Sequence, residues 1–369
     1  MPIRILHVVT YMGRGGIETM LMNYYRNIDR DKVQFDFLVH REFRADYDDE
    51  IEALGGRIFR IPRLNPFSLK YRRTLDAFFA EHPEYTIVHS HLDCMAGIPL
   101  CFAKKNGVPI RIAHAHNNNQ AIDLKYLLKL FYKRRIKKYA TQLFACGHAA
   151  GKWMFGDCSF SILNNAIDAQ KYIFCHPLRK KIREELGIPE ETIVVGHVGR
   201  FAVQKNHRFL LDIFKRFNEQ YKDSRLLLIG DGELRVEMEN KCSNMDLNDK
   251  VIFTGVRKDV PELMQAMDVF VLPSLFEGLS LVLVEAQAAG LPCIISDKVP
   301  LESAVVEKLV KQISLSDTHD HWVDAIFKKS QIHRKNTYQQ ICDANYDIES
   351  NAEKLMEYYV AQEELYGKN

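Results

Sequence analysis

Short apolar runs rich in β-branched residues alternate with helix-like segments through the first half of the chain, and the same alternation starts again near Thr192. Runs of this kind, separated by helices of about ten residues, are typical of βαβ units on a parallel sheet. A length of 369 residues suits about two domains of roughly 150 residues each. We therefore predict an α/β protein built from two doubly wound domains.

The predicted strands locate the loops in which function is expected, because ligands of open α/β sheets bind beyond the carboxyl ends of the strands. The predicted domains cover residues 1–172 and 173–345, followed by a last helix over 346–369. In the first half the strands are RILHVVT (4–10), FDFLV (35–39), RIFRI (57–61), TIVHSH (86–91) and IRIAHAH (110–116). In the second half the strands, some with part of the following turn, are TIVVGHVGRF (192–201), RLLLIG (225–230), VIFTG (251–255), DVFVLP (268–273) and PCIIS (292–296).

The composition is that of an ordinary soluble globular protein, with 47% hydrophobic and 27% charged residues. No apolar run approaches the ~18 residues that a membrane-spanning helix needs, and the N-terminus is predicted to be a first strand rather than a signal peptide. The eight cysteines are scattered without a Cys-x-x-Cys pair. This pattern indicates free thiols in a reducing compartment, so a cytoplasmic protein is expected.

The segment FEGLSLVLVEAQAAG (276–290) carries two carboxylates, Glu277 and Glu285, around an apolar run. A helix is predicted to start near Leu279, and the N–H groups at a helix start favour a phosphate. Eight residues of helix span about 12 Å, which matches a nucleotide diphosphate between its sugar and its ribose. A carboxylate can accept two hydroxyl hydrogen bonds from a vicinal diol. From spacing alone, two solvent-exposed glutamates explain the pattern equally well.

A basic loop, GRFAVQKNH (199–207), follows the first strand of the second half and places Arg200 and Lys205 within reach of one anion. Cations on a diphosphate stabilise the charge that develops on a leaving nucleotide. The alternative is an ordinary solvated basic loop.

A Gly-rich turn, MGRGGIETM (12–20), leads from the first strand into a helix and contains Gly15 and Gly16. Glycines allow a close backbone approach to phosphate. The turn lacks the Gly-x-Gly-x-x-Gly spacing of a dinucleotide fingerprint, and a tight turn without a ligand is the alternative.

Two His-x-His pairs end successive strands, His89 with His91 and His114 with His116. Residues i and i+2 of a strand share a face, so each pair presents two imidazoles to one side. Because no carboxylate or cysteine accompanies them at a recognisable spacing, the sequence predicts no metal site here. A histidine close to a sugar is favoured, with the other histidines in or beside the core.

The segment LKYLLKLFYKRRIKKYA (124–140) carries seven Lys or Arg and no acid, and its apolar residues are predicted to share one side of a helix. Residues 1–175 hold 25 basic and 17 acidic residues, although the whole chain carries only +2. A basic amphipathic helix suits an anionic membrane surface, and no nucleic-acid-binding motif accompanies it. The alternative is a helix packed on its own domain with a solvated basic face. The predicted membrane-facing residues are Lys125, Lys129, Lys133, Arg134 and Lys137.

Taken together, these segments resemble the retaining glycosyltransferases of family 4, and the resemblance covers nearly the whole chain. Its most specific parts are the two glutamates, with Gly278 after the first, and the Arg–Lys pair after a strand. LIGDGEL (228–234) adds weaker support. The family has the GT-B architecture, which implies two Rossmann-like domains that face a cleft and a C-terminal helix that crosses back to the N-terminal domain. The N-terminal domain would bind the acceptor and the C-terminal domain the nucleotide-sugar donor.

The resemblance implies a role for each matching residue. Arg200 and Lys205 would hold the donor diphosphate, Glu277 would contact the sugar hydroxyls, and Glu285 would contact the ribose. His116, or alternatively His114, would lie near the sugar. The implied catalytic residues are His116, Arg200, Lys205 and Glu277. The implied donor-binding residues are Gly15, Gly16, Arg200, Lys205, Arg257, Glu277, Gly278, Leu279, Ser280, Leu281 and Glu285.

The HAHNNN segment (114–119) and the basic helix look most like enzymes of bacterial capsule and exopolysaccharide assembly. The resemblance implies a hexosyltransferase or N-acetylhexosaminyltransferase that moves a sugar, with retention, from a nucleotide-diphosphate sugar to a lipid-linked saccharide. Such an enzyme would act at the inner face of the cell membrane as a peripheral protein, and UDP is the commonest donor nucleotide. No cofactor or metal is expected, because Arg200 and Lys205 would replace a cation at the diphosphate.

Two other functions are compatible with these residues. A UDP-sugar epimerase of the same architecture needs no acceptor, and it would leave the basic helix unexplained. A non-catalytic subunit would bind the sugar nucleotide without transferring the sugar.

Overall fold

The two predicted series of strands and helices form two parallel sheets, one in each of two units. A computed structural model describes residues 2–117 and 126–367 of the chain. Unit 1 consists of residues 1–166 together with 347–369, and unit 2 consists of residues 167–346. The predicted α/β class with two doubly wound domains is confirmed. Strands and helices are numbered below along the whole chain.

Unit 1 contains a seven-stranded sheet in the order β3-β2-β1-β4-β5-β6-β7, in which every neighbouring pair is parallel. Helices make the crossover connections that parallel neighbours need. The strands are β1 (Ile3–Val9), β2 (Val33–Val39), β3 (Ile58–Arg60), β4 (Ile87–Ser90), β5 (Ile110–Ala115), β6 (Gln142–Ala145) and β7 (Ser161–Ile162). The helices are α1 (Gly16–Asn27), α2 (Asp48–Ala53), α3 (Leu69–Glu81), α4 (Gly97–Lys105), α5 (Tyr126–Tyr139), α6 (His148–Phe155) and α14 (Ile348–Gly367).

Apolar side chains cover both faces of the unit 1 sheet. Residues of α3, α4 and α6 fill the core on one face, and residues of α1 and α14 fill the core on the other. Tyr359 of α14 is fully buried in the second core. The last helix therefore lies in unit 1, although the whole of unit 2 separates it from the rest of that unit in sequence.

Unit 2 contains a six-stranded parallel sheet in the order β10-β9-β8-β11-β12-β13. The strands are β8 (Ile193–Val198), β9 (Ser224–Ile229), β10 (Val251–Phe253), β11 (Val269–Leu272), β12 (Cys293–Ser296) and β13 (Val310–Ile313). The helices are α7 (His176–Glu185), α8 (His207–Gln220), α9 (Arg235–Asn244), α10 (Val260–Gln265), α11 (Leu281–Ala288), α12 (His319–Ser330) and α13 (Tyr338–Asp343).

The boundary between the units lies earlier than the sequence indicates. Residues 167–172, which the prediction assigns to the first domain, belong to unit 2. Ala169 and Tyr172 are buried in the same apolar core as residues of α11, and Ile167 N donates to Tyr346 O at 2.8 Å. The boundary is decided by the burial of residues 167–172 among residues that are distant in the sequence. The local composition of this segment does not reveal that burial.

Candidate active site

The carboxyl edge of the unit 2 sheet brings two of the sequence motifs together. Strands β8 and β11 are hydrogen-bonded neighbours, so the loops that follow them start side by side. Leu275 N donates to Gln204 O at 2.8 Å, and Asn206 Nδ2 donates to Pro273 O at 3.2 Å. These hydrogen bonds join the basic loop to the loop that carries Glu277.

Three side chains from these two loops hold the Glu277 carboxylate. Lys205 Nζ and Ser274 Oγ each donate to Oε1 at 2.6 Å, and Gln204 Nε2 donates to Oε2 at 3.2 Å. The side chains of Lys205 and Glu277 are only 15% and 7% exposed. A carboxylate so far removed from water needs such partners. Sequence reasoning identified Lys205 and Glu277 but missed Ser274 and Gln204, which match no spacing rule.

Arg200 lies in the same loop as Lys205 but has a different partner. Its guanidinium pairs with Glu233 at 3.1 Å, and its side chain is 74% exposed. Exposed ion pairs contribute little free energy, so an anionic ligand can take Arg200 from Glu233 at low cost.

The backbone is tightly packed where β8 and β9 end. Gly230 has a φ of +136°, and a Cβ atom at this position would overlap the carbonyl oxygen of Gly199. This φ value favours glycine, and the overlap involves rigid backbone. The LIGDGEL segment therefore has a structural reason for its first glycine.

The start of α11 offers groups that an anion can use. The helix begins at Leu281, two residues later than predicted, and Leu279 lies in the preceding loop. Within the described residues, Ser280 makes no side-chain capping bond, and its buried Oγ has no partner. Ser280 N donates to Ser303 Oγ at 2.9 Å. Gly278 is exposed, and a Cβ atom added at this position would meet no described atom within 4 Å.

Glu285 lies on α11 and accepts a hydrogen bond from the Tyr172 hydroxyl. Burial raises the pKa of Glu285 to about 7, and the bond from Tyr172 opposes this shift. Burial, followed by the charge of Glu285, also raises the pKa of Tyr172. Sequence reasoning missed Tyr172, which is the last residue of the predicted first domain, whereas Glu285 lies in the second.

Arg257 follows β10, at the edge of the unit 2 sheet. Its guanidinium pairs with Asp259, and both side chains are partly exposed. Since β9 separates β10 from β8, Arg257 starts two strands away from the loop of Arg200 and Lys205.

In unit 1, Gly15 and Gly16 lie where β1 leads into α1. Gly15 is the N-cap residue in an extended conformation, and the carboxylate of Glu18 lies beside it and accepts the backbone N–H of Glu18. A Cβ atom at Gly16 would meet no described atom within 4 Å. A ligand at the start of α1 therefore has open space at Gly16 but must compete with the Glu18 carboxylate for the helix N–H groups.

The two His-x-His pairs join His7 in one buried cluster on the unit 1 sheet. His7 is opposite His89 in the register of β1 and β4. His91 Nε2 lies 3.0 Å from His7 Nδ1, and His91 Nδ1 lies 2.9 Å from His116 Nε2. Sequence reasoning missed His7, because its partners are distant in the chain.

Burial keeps these imidazoles neutral. It lowers the pKa of His7 and of His116 to about 3, and it lowers the pKa of His91 and His114 well below the ordinary value. Of the two histidines proposed to lie near a sugar, His114 is buried and His116 is partly exposed. His116 is therefore the one that reaches the surface of unit 1.

Helix α5 contains most of the predicted basic helix, although Lys125 lies outside the described residues. Arg134 and Lys137 are exposed, whereas Lys129 and Lys133 are partly buried. Lys133 Nζ lies 4.1 Å from the centre of the Trp153 ring, so this cation faces the protein and the prediction that it faces a membrane does not fit the structure.

The apolar residues of α5 fit neither a wholly packed helix, which is the alternative considered above, nor a wholly exposed one. Ile136 is buried, but Leu127 is 79% exposed and Phe131 is 48% exposed. Nearby, residues 62–68 line a groove of about 690 Å³ together with Met95, Leu128 and Lys129. Phe67, in the wall of this groove, is 72% exposed. No helix within residues 2–117 and 126–367 is long and apolar enough to cross a bilayer.

Comparison with known proteins identifies the family. The model for glycosyl transferases group 1 matches residues 179–341, and the model for a glycosyl transferase 4-like domain matches residues 15–155. The putative glycosyltransferase EpsF of Bacillus subtilis (strain 168) is 38% identical over 373 residues, which cover 96% of each chain. The chain belongs to glycosyltransferase family 4. The resemblance seen in the sequence is confirmed.

Two further proteins place this glycosyltransferase among its relatives. It is 29% identical, over 80% of its own length and 79% of the relative, to the UDP-Gal:alpha-D-GlcNAc-diphosphoundecaprenol alpha-1,3-galactosyltransferase of Escherichia coli. The crystal structure of Anabaena Alr3699/HepE in complex with UDP matches with a TM-score of 0.80 and 17% identity, over 97% of this chain and 100% of that one. This likeness shows the GT-B fold class for the glycosyltransferase.

Proposed function

We propose that this glycosyltransferase moves a hexose or N-acetylhexosamine, with retention of configuration, from a UDP-sugar to a lipid-linked saccharide in capsule or exopolysaccharide assembly. The observation that carries the proposal is the pairing of Lys205 with Glu277 at the carboxyl edge of the unit 2 sheet. The relative from Escherichia coli, whose name specifies UDP-Gal and a diphosphoundecaprenol acceptor, and the UDP complex of the Anabaena protein support the choice of substrates.

In this proposal unit 2 binds the donor. Lys205 and Arg200 bind the diphosphate, and the N–H groups before α11 add hydrogen bonds to it. Glu277, held by Lys205 and Ser274, accepts hydrogen bonds from the sugar hydroxyls. Glu285 binds the ribose diol in the same way, and Arg257 lies beside the base. The family's pattern also assigns Gly16 to donor binding.

Retention follows from a displacement on one face of the sugar. The leaving diphosphate accepts the proton of the acceptor hydroxyl, and the new glycosidic bond forms on the side from which the diphosphate leaves. Lys205 and Arg200 stabilise the charge on the departing UDP, and the protein otherwise positions the reactants. Glu277 is already engaged by Lys205, so it serves in binding and not as a nucleophile. Donor binding requires no metal ion, since these two cations neutralise the diphosphate.

We propose that unit 1 binds the acceptor at the inner face of the cell membrane. The exposed Leu127 and Phe131 of α5, with Phe67 beside the groove, provide apolar contacts for lipid. Arg134 and Lys137 of the same helix are exposed and attract anionic headgroups. His116 lies near the transferred sugar. The combination of apolar and basic side chains suits a peripheral protein with a lipid-linked substrate.

The test uses the purified protein with UDP-Gal, UDP-Glc or UDP-GlcNAc, each with and without an undecaprenyl-diphosphate-linked sugar. UDP release that depends on the acceptor is expected, and NMR should show an α-linkage from the α-linked donor. An altered sugar in the incubation without acceptor would instead identify an epimerase. Donor binding without UDP release, with every acceptor tried, would identify a non-catalytic subunit. UDP binding should be unchanged by EDTA.

A further inference from the structure

Three histidines converge at the carboxyl ends of β4 and β5. His114 and His116 are two residues apart and face the same side of the sheet. The register Ser90–Ala113 places His91 beside His114 on the neighbouring strand. One ring nitrogen from each of the three lies within 4.8 Å of the other two. A metal ion could therefore reach all three after small side-chain movements.

The unpaired ring nitrogens of His114 are an independent indication of a ligand-binding site. It is 1% exposed, and neither of its ring nitrogens has a hydrogen-bond partner among the described residues. Buried polar atoms are almost always paired, and an unpaired one calls for a bound water or ion. The rings of His114 and His116 are stacked with their centres 4.1 Å apart, so a ligand of His116 is also close to His114.

The residues around this cluster would hold the ligands in place. His91 can donate its Nε2–H to His7 Nδ1 at 3.0 Å, which leaves the Nδ1 lone pair of His91 directed towards His116. Metal-binding histidines commonly donate their second nitrogen in this way, because the bond fixes the tautomer and the ring orientation. Asp93 Oδ1 accepts the backbone N–H of His116 at 3.0 Å. Asp93 has a φ of +45°, a conformation that costs energy and is frequent at functional sites.

We propose that unit 1 binds one divalent transition-metal ion of the zinc type through His91, His114 and His116. Three neutral imidazoles with one open position are a known zinc ligand set. The proton that His116 Nε2 shares with His91 moves to the unpartnered Nδ1 of His116, so binding releases no proton. The open position accepts an oxygen ligand at the partly exposed end of the cluster. The inference rests on residues of unit 1 alone and does not depend on the proposed function.

A second set, His7, His89 and His91, also lies within 4.8 Å, but it suits an ion less well. All three histidines are buried, so this set has no exposed end at which an oxygen ligand can bind, whereas the first set ends at the partly exposed His116. The two sets share His91, so variants at His114 and His89 distinguish them.

The experiment titrates the full-length protein, first treated with a chelator, with Co²⁺ as a spectroscopic substitute for Zn²⁺. We expect one Co²⁺ per chain, visible absorption typical of a four-coordinate ion, and its displacement by Zn²⁺. His114→Leu should weaken binding at least about tenfold, a loss of the order seen even for residues that only support a ligand. His176→Leu, at an exposed histidine of unit 2, is the matched control and should bind as the wild type does.

Circular dichroism and thermal unfolding establish whether each variant is folded. If His114→Leu does not fold, His116→Gln, at the partly exposed end of the cluster, replaces it. His89→Leu should retain Co²⁺ binding. Absence of stoichiometric Co²⁺ binding by the folded wild type would overturn the proposal. Co²⁺ binding that survives in both the His114 and the His116 variant would also overturn it. Loss of Co²⁺ binding in His89→Leu alone would assign the ion to the second set. UDP binding measured in parallel should be unchanged in His89→Leu and in the control His176→Leu.

Discussion

Lys205 Nζ lies 2.6 Å from Glu277 Oε1, although 72 positions separate the two residues in the chain. Because both side chains are largely buried, removal of either one leaves the other with a poorly compensated charge. Ser274 and Gln204 remain bonded to Glu277 in the absence of Lys205, which limits the structural damage. The pair thus links the basic loop and the helix start into one candidate donor site.

Lys205→Ala should retain the fold and lose most of the sugar transfer. Loss of a cation that stabilises a leaving group costs about 10²–10³-fold in kcat. Steady-state UDP release with donor and acceptor measures the effect, and thermal unfolding verifies the fold. Lys222→Ala, at an exposed lysine of the same unit, is the control. Near-wild-type transfer by Lys205→Ala would contradict the assigned role.

The stability of unit 2 should depend on the ionisation of Glu285. Its pKa is about 7 in the folded chain and 4.5 without burial. Between pH 4.5 and 7 the unfolded chain releases this proton and the folded chain retains it, so rising pH destabilises the fold over this window. Above pH 7 the penalty is complete. Glu285→Gln removes the cost of ionising this buried carboxyl group. The Tm of the variant minus the Tm of the wild type should therefore be larger at pH 8 than at pH 5. An equal Tm difference at both pH values would contradict the shifted pKa.

UDP binding should respond to the same group. An ionised carboxylate accepts two hydroxyl hydrogen bonds from a ribose, whereas a protonated one has a reduced acceptor capacity. The affinity of the wild type for UDP should therefore decrease as pH falls through about 7, and that of Glu285→Gln should show a weaker dependence. Calorimetric titrations at pH 6 and pH 8 make the comparison, and a dependence unchanged by the substitution would remove Glu285 from the site.

Replacement by alanine should affect stability at Gly230 and donor use at Gly16. Gly230→Ala should destabilise unit 2, because strain at its positive φ alone costs about 1–3 kcal/mol and the new Cβ overlaps Gly199 O. Gly16→Ala should leave stability within about 0.5 kcal/mol of wild type and weaken donor use, since the added methyl occupies open space at the start of α1. Urea unfolding and KM for the UDP-sugar measure the two effects. A large stability loss at Gly16, or an unchanged KM, would refute its binding role.

Membrane binding should depend on the exposed apolar residues of α5. The double variant Leu127→Asp/Phe131→Asp should lose most of its sedimentation with vesicles that contain anionic lipid. Binding by the wild type should weaken with added salt, because screening reduces the attraction of Arg134 and Lys137 for headgroups. Val236→Asp, at an exposed valine of unit 2, is the matched control. Equal sedimentation of the wild type with purely zwitterionic vesicles would argue against the basic contribution.

The strands were the most accessible part of the structure to sequence reasoning. FDFLV (35–39) lies in β2, and PCIIS (292–296) coincides with β12 except for Pro292, because short apolar runs between turn residues are typical of buried strands. The start of α11 was less accessible. Leu279 is as apolar as the residues of the helix that follows, so composition does not distinguish the loop from the helix.

The sequence by itself determined the fold class, the family, and the presence of Lys205 and Glu277 in the loops after strands, since each depends on local patterns. Tertiary structure alone decided which atoms meet. It gave Glu285 a partner in Tyr172, gathered four histidines around His91, and left Leu127 of α5 exposed while it buried Ile136 of the same helix. These outcomes depend on strand register and on packing between segments distant in the chain, and no local spacing encodes such contacts.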